Sequence, residues 1–426
     1  MKTVIMAGGK GTRVAELCPL IPKPMIPICG KTVLERELEV LRAQGLTDII
    51  LVIGHLGGVI KEALGDGTRL GVHLTYVEER TPLGTAGALA LLKDELADDD
   101  FLLLCGDLVF DVDLCRFLAA HREKGGIATL LTHPSDHPFD SVIVKGDRAG
   151  RVTAFLPPEA SRGDVKNRTN AGIHAFSPTV LDLFGEVKRT DLDREILAPL
   201  AATGALYYYD TPEYVKDMGT PDRIDTVTRD ILSGRVKKSN LSSPQRAIFL
   251  DRDGTVNRYV GFLTAPDQMV LEEGAAEAIR AINRAGLLAV LVTNQPVVAR
   301  GDVTEAELDA IHDRMETLLG REGAYLNAIC YCPHHPDSGF AGEIGELKIK
   351  CRCRKPEPGM LLDAAERFHI NLSASYMIGD DARDIEAGKR AGCRTASIGE
   401  GLGADLWGDS LLACVNQILK EEGLSL

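Results

Sequence analysis

A chain of 426 residues exceeds what one ordinary core organises, so two domains are the first expectation. Its 45% hydrophobic and 26% charged residues are those of a globular chain, and a net charge of −14 excludes the broad basic face that nucleic-acid binding needs. Phosphorylated small molecules stay admissible, because glycine loops and bound metal neutralise phosphate locally whatever the net charge.

In chain order, strands are expected over residues 3–6, 48–53, 73–77 and 101–105, with helices over 34–43 and 114–123. The first apolar run meets Gly8 and Gly9 at once and lacks the long apolar core of a signal peptide. No export or membrane segment is therefore expected, and the expected compartment is the cytoplasm. The stretch SGRVKKSNLSSPQ, residues 233–245, has no apolar periodicity and reads as a linker between domains over 1–232 and 246–426. A fresh strand begins at Ala247. Further strands are expected over 287–292 and 376–378, with helices near 274–285 and 305–319. The alternation predicts two different α/β units without an internal repeat.

Of ten cysteines, four fall within residues 330–353, a clustering that suggests metal rather than disulfides in a reducing compartment. Cys18, Cys29, Cys105, Cys115, Cys393 and Cys414 are scattered and are expected as small buried apolar side chains.

The first site is expected at AGGKGTR, residues 7–13, directly after the first strand. Glycines there let consecutive amides approach phosphate oxygens, while Thr12 donates a hydrogen bond and Arg13 a charged fork. The spacing is not the dinucleotide fingerprint, since Val14 stands where its last Gly would be, and Met25 occupies the first Gly of a P-loop around Lys31. Lys23 lies between Pro22 and Pro24, a rigid mount for one cation. Asp107 follows a strand at its carboxyl end, and Asp217 precedes a Gly-Thr-Pro turn. Two separated carboxylates suit a magnesium ion that also holds nucleotide phosphates.

In order, AGGKGTR, PKPM (22–25), PLGTAGAL (82–89), CGD (105–107), NAGIH (170–174) and DMGTP (217–221) resemble the sugar-1-phosphate nucleotidyltransferase family, from residue 1 to about 232. The resemblance implies a Rossmann-like fold in which Gly8, Gly9, Gly11, Thr12 and Arg13 hold the triphosphate and Lys23 contacts phosphate near the reacting centre. It also implies that Gly84 and its neighbours read the base, that Asp107 and Asp217 bind Mg²⁺, and that Asn170 and Gly172 line the sugar pocket. The implied reaction is in-line attack of a sugar 1-phosphate on the α-phosphorus of an NTP, with Arg13, Lys23 and Mg²⁺ neutralising charge. Where many members carry Glu-Lys-Pro before the NAG motif, this chain reads FLPPEAS, residues 155–161. Arg162, Lys166 and Arg168 are the cations that follow.

The second site is expected at AIFLDRDGTVN, residues 247–257, where a buried strand delivers Asp251 and Asp253 two residues apart. One carboxylate can attack phosphorus while the other protonates the leaving alcohol and then activates water. Like charges that close call for a cation. Thr293 and Asn294 end the next strand with groups suited to phosphate oxygens, Arg354 and Lys355 supply cations, and Asp380 ends a late strand. This order resembles the haloacid-dehalogenase phosphatase superfamily over roughly residues 246–403. The resemblance implies Asp251 as nucleophile, Asp253 as general acid/base, and Thr293 and Lys355 on phosphate. It also implies Mg²⁺ on Asp251, the Asp253 carbonyl and Asp380.

CPHHP (332–336) and CRCRKP (351–356) offer Cys332, His334, Cys351 and Cys353 as a closed tetrahedral zinc set, with His335 and Cys330 as alternates. Such a loop resembles the branch holding heptose 1,7-bisphosphate and histidinol-phosphate phosphatases, although NQPVVARG (294–301) has Pro296-Val297 where the first usually carries Ser-Gly. The expected partners are NTPs and sugar phosphates, with neither nucleic acid nor membrane; a homo-oligomer is compatible with the sequence.

Overall fold

The computed structural model describes residues 1–9, 20–339 and 341–424. They form two compact units that do not simply follow chain order. One comprises Met1–His133, Val144–Leu156 and Asn170–Asn240; the other comprises Pro134–Ile143, Pro157–Thr169 and Leu241–Leu426.

In the first unit, strand Lys2–Met6 lies between Phe101–Cys105 and Asp48–Ile53, parallel to both, and Asp48–Ile53 is followed by the parallel His73–Glu78. Strand Thr169–Phe176 joins the other side antiparallel, with Ile173 opposite Leu104. Central parallel strands are covered on both faces, so they read as continuous apolar runs rather than alternating ones. DIILVI and FLLLC are such runs, each buried almost end to end. Helix Val33–Ala43 is started by Thr32, whose side chain accepts the Glu35 N–H while Glu35 returns the bond to the Thr32 N–H.

The second unit is a wholly parallel sheet in the order Ala328–Cys332, Leu288–Asn294, Ala247–Leu250, Tyr376–Gly379, Arg394–Ile398, Leu406–Gly408. AIFL is buried at every residue in the middle of this sheet. The loops that carry polar residues therefore gather at one edge, beyond the carboxyl ends of the central strands. Helix Glu305–Arg321 is opened by a Thr304–Glu307 capping box, as its TEAE start suggests.

The segment 233–245 is more ordered than its composition suggests. Arg235–Lys238 is a short helix, Leu241 is buried in the second unit's core, and Gln245 receives its own bridge to Ile370. No periodicity betrays this, because single anchors at Leu241 and Gln245 replace an apolar face. The scattered cysteines also divide: Cys393 and Cys414 are buried, whereas Cys29 and Cys115 are exposed, against expectation, and Cys18 lies outside the described residues. No helix among the described residues is long and apolar enough to cross a membrane.

Candidate active sites

In the first unit the chain leaves strand Phe101–Cys105 at Asp107 and continues as strand Leu108–Asp111, which pairs antiparallel with Tyr214–Asp217. That ribbon brings the two predicted acids together: Asp217 lies opposite Leu108, and the Met218 N–H donates to the Asp107 carbonyl at 3.0 Å. Lys23, at the start of the turn Lys23–Met25, forms an ion pair with Asp107. Asp217 accepts from Arg223 Nη1 at 2.6 and 2.7 Å and from the Gly219 N–H at 2.8 Å. Burial would raise the Asp217 pKa, but Arg223, Gly219 and nearby Lys23 together hold it below the usual carboxylate range. Each expected Mg²⁺ ligand thus already carries a side-chain cation, and neither belongs to a group of three or more metal-ligating side chains among the described residues. Two carboxylates still fit magnesium, which usually takes one or two from protein and completes its shell with water and substrate phosphate.

Glu37 was not singled out from the sequence. It is buried on helix Val33–Ala43 and accepts the Leu108 N–H at 3.0 Å, holding the residue after Asp107. Burial pushes its carboxyl well above the usual range, with the Asp107 charge adding to the effect. The available signal was an acid inside the apolar stripe Val33, Leu34, Leu38, Leu41.

Asn170 turns its amide inward: Oδ1 accepts the Gly172 N–H at 3.1 Å and Nδ2 donates to Asp193 Oδ1 at 3.3 Å. A Cβ on Gly172 would lie 3.3 Å from Cys105 Sγ, so the NAG segment packs against the strand that delivers Asp107. Gly84 has φ +82°, and a Cβ there would come within 2.5 Å of the Thr190 carbonyl, so that turn admits glycine alone. Gly8 lies against Gly54 and the Glu79 carboxyl, and Gly9 is exposed. Gly11, Thr12 and Arg13 lie outside the described residues.

Of the three cations after FLPPEAS, Arg168 is buried against Glu316 and donates to the Asn327 carbonyl at 3.2 Å. Arg162 donates to the carbonyls of Pro157, Pro138 and Ser141. Both guanidiniums are occupied within the second unit.

In the second unit, Asp251 and Asp380 follow adjacent parallel strands, and Asp384 lies in the first turn of helix Ala382–Ala391. One oxygen of each lies within 4.8 Å of the others. Lys355, almost fully buried, places Nζ at 2.6 Å from both Asp251 Oδ1 and Asp384 Oδ1. Burial would strip the Lys355 proton, but the two carboxylates outweigh it and hold the pKa above its ordinary value. Burial pushes Asp251 up to about 6, against the pull of Lys355, and Asp380 also rises by burial and by the Asp251 charge. Three carboxylates facing one ammonium leave a negative surplus that fits a divalent cation.

This trio adds Asp384 to the expected Asp251 and Asp380; the third expected ligand was the Asp253 carbonyl, and the Asp253 carboxylate is engaged by Arg252, Asn257 and Gln295. Asp384 was legible as the last acid of GDDARD, but its role depends on the helix turn, in which the Asp381 N–H holds Oδ2 and leaves Oδ1 for Lys355. Gly254, at φ +81°, brings its backbone against Asp380; a Cβ there would lie 2.2 Å from Asp380 Oδ2. Thr293 is buried and accepts from Gln295 Nε2 at 2.9 Å. Asn294, expected on phosphate, donates to the Lys355 carbonyl at 3.0 Å and accepts its N–H at 2.9 Å.

Cys332, His334, Cys351 and Cys353 converge, with ligand atoms all within 4.8 Å and neighbouring Sγ atoms 3.3–3.5 Å apart. Sulfurs about 2.3 Å from one zinc ion stand roughly 3.8 Å apart in a tetrahedron. The observed set is slightly tighter than that, and it fits a four-ligand metal. Arg354, an expected phosphate cation, donates from Nη1 to the His334 carbonyl at 3.1 Å.

These two sites, each at the carboxyl edge of its sheet, define a Rossmann-like nucleotidyltransferase unit and a haloacid-dehalogenase-like unit carrying a Cys/His metal loop. The chain belongs to the nucleotidyl transferase family, whose model matches residues 2–234, while residues 352–409 match the HAD-hydrolase-like family. It is 34% identical over 244 residues to a probable mannose-1-phosphate guanylyltransferase of Oryza sativa subsp. japonica, a match covering 56% of this chain and 67% of that protein. It is also 34% identical over 252 residues to the UTP–glucose-1-phosphate uridylyltransferase of a Synechocystis strain, covering 56% of this chain and 65% of that protein. Among solved structures, a D,D-heptose 1,7-bisphosphate phosphatase from B. bronchiseptica, complexed with magnesium and phosphate, is 35% identical. That match has a TM-score of 0.37 and covers 42% of this chain and 99% of that one.

Proposed function

We propose that this chain is a bifunctional enzyme of nucleotide-activated heptose synthesis. In this reading the second unit removes the C7 phosphate of D-glycero-D-manno-heptose 1,7-bisphosphate. The first unit then transfers a nucleotidyl group, GMP from GTP, to the resulting heptose 1-phosphate. The observation that carries the reading is the presence in one chain of a nucleotidyl transferase unit and a haloacid-dehalogenase-like unit. A phosphatase that spares an anomeric phosphate produces what a sugar-1-phosphate nucleotidyltransferase consumes.

In the phosphatase reaction Asp251 attacks phosphorus, and Asp253 protonates the departing oxygen and then takes a proton from water. Lys355 neutralises the phosphoryl group, steadied by Asn294 on its backbone. Magnesium, held by Asp251, the Asp253 carbonyl and Asp380 with the Asp384 carboxylate beside them, would supply charge neutralisation at the phosphoryl oxygens. In the transferase reaction Lys23 and Arg13 bind phosphate oxygens, Asp107 and Asp217 would hold Mg²⁺, Gly84 reads the base and Asn170 with Gly172 orients the sugar. Lys23 exchanges Asp107 for phosphate as the substrate binds.

Phosphate release from heptose 1,7-bisphosphate and from histidinol phosphate, followed by pyrophosphate release across NTPs and sugar 1-phosphates, tests this. The heptose pair should be preferred in both assays, and absence of turnover with any heptose substrate ends the reading. The relatives whose names specify mannose and glucose 1-phosphate favour one second reading: a hexose-1-phosphate nucleotidyltransferase joined to a phosphatase of another metabolite. The same panel separates it, by faster transfer to mannose or glucose 1-phosphate.

A further inference from the structure

Arg252 is the largest of the fully buried side chains, 1% exposed, and it stands between the two aspartates that follow strand Ala247–Leu250. A guanidinium out of water is costly unless its donors are spent. Here Nη2 donates to Asp253 Oδ2 at 3.0 Å and to Oδ1 at 3.1 Å, and Nε donates to Oδ1 at 3.2 Å. Nη1 donates to His312 Nε2 at 3.3 Å. Asn257 Nδ2 at 3.1 Å and Gln295 Nε2 at 3.0 Å complete the grip on the Asp253 carboxylate.

Two carboxylates two residues apart therefore have separate cations: Lys355 serves Asp251, and Arg252 serves Asp253. Lys355 also meets Asp384 and belongs to phosphoryl binding, whereas the Arg252 fork faces Asp253 and the helix residue His312. A planar fork fixes the orientation of a carboxylate better than a point charge does.

We propose that Arg252 is a positioning residue that aims Asp253 at the leaving-group oxygen and thereby governs departure of the alcohol rather than capture of the phosphoryl group. The proposal rests on the reading of Asp253 as general acid. As an Asp251 oxygen bonds to phosphorus, the bond from phosphorus to the leaving oxygen breaks and its electron pair stays on that oxygen. The Asp253 proton passes to it, giving the alcohol and the Asp253 carboxylate. An alkoxide or phenolate needs that proton; p-nitrophenolate departs without it. An arginine that only filled the core would, when truncated, weaken all substrates alike.

The test is kcat/KM of the full chain with Mg²⁺ on p-nitrophenyl phosphate, phenyl phosphate and glycerol 1-phosphate, for wild type, Arg252→Met, Arg252→Lys and Asp253→Asn. Because kcat/KM ends at the first irreversible step, it reports leaving-group departure and not later hydrolysis of the aspartyl-phosphate. Arg252→Met should lose about 10²-fold on phenyl and glycerol phosphates, at least about tenfold more than on p-nitrophenyl phosphate. Arg252→Lys, which keeps the charge but not the fork, should show the same selectivity more weakly, and it serves if the Met variant does not fold. Equal losses on all three substrates, or none, while Asp253→Asn remains selective, overturn the role of Arg252 alone. A non-selective Asp253→Asn overturns the general-acid reading and the proposal with it.

Discussion

His174 shows how one buried group sets a pH limit on a whole unit. Its ring stacks on Phe176 in strand Thr169–Phe176, and neither ring nitrogen finds a well-formed hydrogen bond. Burial pushes its pKa from the ordinary 6.5 down to about 4, and the adjacent Leu103 backbone offsets this only in part. A histidine depressed in the folded state leaves the unfolded chain binding more protons between those two values. Stability is therefore full above about pH 6.5 and falls as pH drops toward 4, by about 1.4 kcal/mol per pH unit. Between pH 6.5 and 4.5, urea unfolding of the nucleotidyltransferase unit should lose about 2–3 kcal/mol more in wild type than in His174→Leu. Parallel pH profiles would show that His174 finds a proton-accepting partner when charged. The NAGIH motif makes this histidine visible, but its burial depends on register with strand Phe101–Cys105, a long-range pairing that local pattern does not encode.

At the scale of elements, the central strands were legible because parallel strands covered on both faces must be apolar throughout, as AIFL and DIILVI are. Motif residues at strand ends followed from that. Asp251, Asp380, Thr293 and Cys332 all stand at carboxyl ends of neighbouring strands, where local sequence and sheet order agree. What escaped were residues defined by a partner far along the chain: Glu37 under Leu108, Asp384 against Lys355, Arg223 on Asp217. The Cys/His loop was legible from spacing, and its placement gives it a consequence. Cys353 precedes Arg354 and Lys355, so the four-ligand set fixes where the Lys355 backbone enters its Asn294 clamp. Cys353→Ser should lower metal bound at the four-ligand site from about one equivalent toward none and cut phosphatase kcat/KM at least about tenfold. Nucleotidyl transfer to a supplied sugar 1-phosphate should persist. Metal analysis beside the two assays checks this, and full phosphatase activity in a variant without that metal would deny the loop its role.

For the whole molecule, the proposed reading sets the order of reactions against the order of the chain: in it the second unit acts before the first has a substrate. A sugar bisphosphate carries an extra dianionic group at the end remote from the anomeric carbon, and a pocket that orients a neutral terminal hydroxyl would have to desolvate that charge. Of the three cations placed just ahead of the NAG segment, Arg162 and Arg168 are committed to carbonyls and Glu316. The bisphosphate should therefore be a poor nucleotidyl acceptor. In wild type supplied with bisphosphate and NTP, inorganic phosphate should appear first and pyrophosphate after a lag. Asp251→Asn should cut both products from the bisphosphate by at least about 10³-fold while leaving pyrophosphate release from added sugar 1-phosphate intact. With a net charge of −14 the chain's field repels rather than gathers the anionic intermediate, so an unlabelled pool of sugar 1-phosphate should dilute label passing from the bisphosphate into sugar nucleotide. Pyrophosphate from the bisphosphate in the Asp251→Asn chain would reverse the order, because it would mean that transfer precedes dephosphorylation.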